Sequence, residues 1–94
     1  MIEGEPFDGS VAQKLIRSIL EGGNLGFSGH AFDEMAKDQL QAPDVVNVLR
    51  AGWVEFSEEK NGSWRYRFTT SRIVVVIVFR SQEHAVVVTT WRLS

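Results

Sequence analysis

Ninety-four residues, 44% hydrophobic and 23% charged, suffice for one domain with a single core. There is no cysteine, which excludes disulfides and thiolate chemistry. His30 and His84 fall on different predicted elements, so neither a structural zinc site nor another bound metal or cofactor is expected. The net charge of −2 conceals an asymmetry: Met1 to Arg50 holds four Lys/Arg against eight Asp/Glu, while Trp64 to Ser94 holds five arginines against Glu83 alone. An acidic helical half thus precedes an arginine-bearing half whose guanidinium forks suit phosphate or carboxylate groups.

Met1 to Gly9 is polar and glycine-containing, and reads as frayed or extended. It lacks the basic start and apolar run of a signal peptide, so a cytoplasmic protein without a membrane partner is expected. Ser10 and Gln13 form a capping-box pattern for a helix with Val11, Leu15, Ile16, Ile19 and Leu20 on one face. Gly22-Gly23 reads as a left-handed C-cap. Asn24 to Phe27 reads as a link. Ser28 then caps a second helix with an apolar arc of Ala31, Phe32, Met35 and Ala36, and with His30, Asp33, Glu34 and Lys37 opposite.

After a turn at Gln39 to Ala42, Pro43 and Asp44 mark the start of a third helix, buried through Val45, Val48 and Leu49 and stopped by Gly52. Trp53 to Phe56 alternates as a first strand. Asn61-Gly62 signals a tight hairpin. Trp64 to Phe68 then alternates strictly, aromatics on one side and Arg65 and Arg67 on the other. The β-branched run between Arg72 and Arg80 is too short for a membrane helix and reads as the sheet's central strand, buried on both faces. Strict alternation from Ala85 to Arg92 puts Val87, Thr89 and Trp91 on one face, and Val86, Val88, Thr90 and Arg92 on the other. A one-residue register difference would exchange Thr89 and Thr90. The expected fold is α+β: three N-terminal helices packed on a four-stranded antiparallel β-sheet, in a single domain spanning 1–94.

Three groups could carry chemistry. His30, in the first turn of its helix, is a candidate general base or acid, because the helix dipole disfavours its charged form. Arg65 and Arg67 could hold a phosphodiester and stabilise charge on its oxygens. Thr89 could donate to a phosphate oxygen, and Trp91 could stack on a base. Each has a plainer reading: an exposed polar histidine, arginines that cover the outer sheet face, and ordinary strand residues.

The stretch Gly29-His30-Ala31-Phe32-Asp33-Glu34-Met35, with Ala42-Pro43-Asp44-Val45, Val48 to Gly52 and the strand ending Thr89-Thr90-Trp91, resembles the family designated domain of unknown function 4258. The resemblance spans roughly Phe27 to Arg92. That family looks similar to the barnase–EndoU–colicin–RelE group of small toxin ribonucleases, so the resemblance implies a RelE/barnase-like fold with its active site on the open side of the sheet. It implies a metal-independent endoribonuclease of toxin type that acts through 2′-hydroxyl attack. His30, Arg65 and Thr89 would be catalytic, and Arg67, Trp91 and Arg92 would hold the RNA. A cognate antitoxin or immunity protein would be the partner. The alternative is a non-catalytic protein- or nucleic-acid-binding domain of the same fold. Either a monomer or a homodimer paired through the last strand is compatible with the sequence.

Overall fold

The computed structural model describes residues 2–93; Met1, part of the stretch expected to fray, and Ser94 lie outside the described residues. The elements are α1 (Gly9–Gly22), β1 (Asn24–Phe27), α2 (Gly29–Lys37), α3 (Ala42–Ala51), β2 (Trp53–Lys60), β3 (Ser63–Thr69), β4 (Ile73–Ser81) and β5 (His84–Arg92). None of the helices is long and apolar enough to cross a membrane.

Capping explains the helix boundaries. Asp8, rather than Ser10, starts α1 by accepting the Val11 N–H at 2.9 Å. Ser28 caps α2 as expected, accepting the Ala31 N–H at 3.0 Å. At the start of α3 the Asp44 carboxylate accepts the Gln41 N–H at 2.8 Å. Gly23 does not end α1 in the left-handed conformation: its φ is −104°. Glycine is needed there because a Cβ would collide with the Glu83 carbonyl oxygen, where the chain runs into β1.

The five strands form one mixed sheet in the order β1-β5-β4-β3-β2. The expected four-stranded antiparallel sheet preceded by all three helices is therefore corrected. Asn24 to Phe27 is a strand, not a link, and it separates α1 from α2. It runs parallel to β5, from Asn24 opposite His84 to Phe27 opposite Val87. Four residues with a central glycine carry no strand period, and their partner lies far along the chain, so nothing local announces the pairing. β5 is consequently an interior strand. β1 takes its outer side from His84 to Val87, and the outermost strands of the sheet are β1 and β2.

All three helices pack on one face of the sheet. Their buried residues, including Ile16 of α1, Met35 of α2 and Leu49 of α3, join Tyr66, Phe68, Ile77 and Val87 in one core. Burial contributes about 1.5–3 kcal/mol for each large apolar side chain. Phe32, expected in the buried arc, is instead 57% exposed and stacks on Phe27 at 5.5 Å. The N-terminal stretch docks: Phe7 packs on Tyr66 and Phe79, and the Tyr66 hydroxyl donates to Glu5 Oε2 at 2.8 Å while accepting the Phe7 N–H at 3.0 Å.

Candidate nucleic-acid interface on the open sheet face

The face away from the helices is built by alternation on β3. Tyr66 and Phe68 point into the core, so Arg65 and Arg67 emerge opposite. Across β4, Arg65 pairs with Val78 and Arg67 with Val76, and both valines are buried although no helix covers this side. Arginine stems bordering buried valines are amphipathic cover for a sheet.

Two of the sheet's three register shifts then break the alternation on this face; the third lies at the end of β4, between Phe79 and Ser81. On β2 the register skips Glu55, so Phe56 rather than Glu55 lies opposite Arg67. On β5 the register skips Val88: Val87 faces Ile77 in the core, but Thr89 pairs with Val76 and Trp91 with Val74 on the open face. This overturns the strict alternation expected for β5. Thr90 is fully buried, its hydroxyl donating to the Val74 carbonyl at 2.6 Å, and Thr89 is the threonine on the open face. A bulge admits one extra residue and so re-aims every side chain after it. No hydrophobic pattern marks its position.

The consequence is a clasp. The central carbon of the Arg67 guanidinium lies 4.5 Å from the Phe56 ring centroid and 5.0 Å from that of Trp91. Both distances fall within cation–π range. Without the two register shifts, Phe56 and Trp91 would each point into the helix-facing layer. The skipped residue Glu55 turns its carboxylate to within 3.4 Å of Arg67 Nη1. The inner nitrogens, Nε of Arg65 and of Arg67, are buried without a hydrogen-bond partner. Arg65 has no ion-pair partner among the described residues, although Glu58 stands opposite it in register. Trp53, paired with Thr69 one row away, is 53% exposed.

Arg65, Arg67, Thr89 and Trp91 therefore share one face, and Phe56, Trp53 and Glu55 join them. The sequence reading assigned no face to β2, and alternation through it would have put Phe56 on the side opposite Trp53 and Glu55. His30 and Arg92 are not brought to this group by any contact among the described residues. His30 is on the solvent side of α2, its side chain 64% exposed and 3.8 Å from Glu34. Its helix start is nevertheless held at the rim of the sheet, where the Ser28 hydroxyl donates to the Val88 carbonyl at 3.1 Å. The β3 arginines are two strands beyond β5, a separation of about 10 Å. Arg92 instead secures the end of α2: its backbone N–H donates to Asp38 Oδ2 at 2.7 Å and its Nε to the Asp38 carbonyl at 3.2 Å.

Among the described residues there is no enclosed cavity, and no cluster of three or more His, Asp or Glu side chains suited to a metal ion.

Fold and face together define a two-layer α+β domain that presents arginines and aromatic rings on one sheet surface. The chain belongs to the family described as "Domain of unknown function (DUF4258)", whose family model matches residues 27–92. That match takes in the whole open face and leaves out α1 and most of β1. It supports the family and not the kinship to toxin ribonucleases. Neither a curated protein nor a solved structure matches the chain.

Proposed function

We propose that this domain binds single-stranded RNA across the open face of its sheet. The observation that supports this reading is the Arg67 guanidinium clasped between Phe56 and Trp91. Exposed rings on a rigid sheet stack on unpaired bases, and a fixed arginine beside them can hold the phosphodiester chain. Arg65, with no ion-pair partner among the described residues, takes a phosphate through its terminal nitrogens, and Thr89 on the neighbouring row supplies a hydroxyl donor. Duplexes fit poorly, because their bases are stacked away from protein rings.

Cleavage is a second reading, favoured by one observation: Ser28 anchors the start of α2 on the β5 bulge, next to Thr89. His30 would then reach a 2′-hydroxyl at the rim, as in a metal-independent toxin ribonuclease, with Arg65 stabilising the charged phosphorus centre.

The test is incubation of a mixed RNA pool in EDTA with the wild type, Arg67→Ala and His30→Ala, scoring binding and product ends separately. Binding lost in Arg67→Ala and kept in His30→Ala supports the interface. Cleavage to 2′,3′-cyclic ends that vanishes in His30→Ala supports the enzyme. Neither retention nor cleavage of RNA by the folded wild type refutes both.

A further inference from the structure

We infer that Arg67 and Glu55 together read a guanine base. The inference rests on the RNA-binding reading above and names what one position of the strand must be. Phe56 and Trp91 both lie against the Arg67 guanidinium, and its planar fork donates along its edge to a flat partner. The Nε end is sealed by its neighbours, which leaves the terminal nitrogens to the ligand. Arg67 and Glu55 are 33% and 48% exposed, so the pair is accessible and not buried in the fold.

The carboxylate decides the class of ligand. A phosphate brought to the Arg67 fork would meet the Glu55 charge beside it and be repelled. The fitting ligand offers an acceptor to the arginine and, alongside, donors to the carboxylate. Among the four bases, only guanine carries two adjacent donors, N1–H and the 2-amino group, next to a carbonyl acceptor, O6. Adenine, cytosine and uracil each place a single donor beside acceptors on that edge, which leaves one carboxylate oxygen facing an acceptor. Phosphate contacts then fall to Arg65, which faces Val78 rather than Val76 and so lies one row away from the clasp. Glu55 reaches the base because it is the residue left out of the β2 ladder.

The experiment is fluorescence anisotropy with labelled RNA heptamers carrying 2′-O-methyl sugars, so that cleavage does not intervene. The probes are all-uridine, or uridine with one central guanosine, inosine or adenosine. The wild type is expected to bind the guanosine heptamer about tenfold more tightly than all-uridine, with inosine, which lacks the 2-amino donor, in between. Glu55→Gln is expected to erase that preference, bringing the guanosine and all-uridine heptamers to within about twofold of each other. Equal binding of all four heptamers by the wild type overturns the guanine inference and leaves the RNA reading standing. A guanosine preference that survives in Glu55→Gln also overturns it. Failure of the folded wild type to bind any heptamer overturns the RNA reading itself.

Discussion

Phe56 and Trp91 grip the same guanidinium from strands at different positions in the sheet, at 4.5 Å and 5.0 Å from the Arg67 central carbon. Each ring is there because its own strand carries a one-residue register shift upstream of it. Bulges weaken the ladder locally by leaving a residue unpaired, and their recurrence beside binding sites reflects what they re-aim. Here both serve one arginine, and that coincidence singles out this face of the molecule.

The clasp predicts that shape matters beyond charge. Arg67→Lys keeps the cation but loses the flat, stacked fork, and is expected to weaken single-stranded RNA binding about tenfold; Phe56→Ala or Trp91→Ala should weaken it by about three- to tenfold each. Anisotropy titration at constant salt measures all three. Lysine performing as well as arginine would show that the rings do not orient the ligand-binding group.

The β5 bulge separates the two threonines thermodynamically. Thr90→Val removes the bond from the buried hydroxyl to the Val74 carbonyl and is expected to cost about 1 kcal/mol in urea unfolding. Thr89→Val, on the open face, should change stability by less than about 0.5 kcal/mol. The reverse order of effects would mean that the register shift at Val88 is misplaced.

Tyr66 gives a pH signature. Burial pushes its hydroxyl well above the ordinary value of 10.0; the neighbouring Glu5 carboxylate adds to the rise and the Phe7 N–H opposes it. The unfolded chain releases this proton first and so binds fewer protons at alkaline pH. Stability is therefore unaffected by Tyr66 below the ordinary value and falls as pH rises past it, by up to about 1.4 kcal/mol per pH unit. Tyr66→Phe should remove that alkaline loss, while costing about 1–2 kcal/mol at neutral pH through the unpaired Glu5 and Phe7 groups. Denaturant unfolding from pH 7 upward measures both effects.

Arg92 is expected to separate from its neighbour Trp91 in function. Arg92→Ala removes the side-chain bonds to the carbonyls of Asp38 and Gln39 at the end of α2 and should cost about 0.5–1 kcal/mol of stability. Its RNA affinity should stay within about twofold of the wild type, unlike that of Trp91→Ala. A loss of affinity comparable to that of Trp91→Ala would return Arg92 to the interface.

Local chemistry was legible along the chain. The Asn61-Gly62 turn, with φ of 54° and 81°, joins β2 to β3 as its residue types require. The run from Val74 to Phe79 is buried on both faces at the centre of the sheet, as its β-branched composition implies. Arg65 and Arg67 leave β3 together on the face opposite its aromatics. The Ser28 cap and the apolar positions of α3 followed from period and residue type alone.

Tertiary structure decided the remainder, because it depends on partners distant in sequence. β1 is a strand only because β5 supplies its hydrogen bonds, and four residues cannot encode that. Whether Thr89 or Thr90 reaches the open face, and whether Phe56 and Trp91 can close on Arg67, turns on where each ladder takes its extra residue. That is settled by the fit of whole strands to one another and to the core beneath them, not by a side-chain pattern along either one.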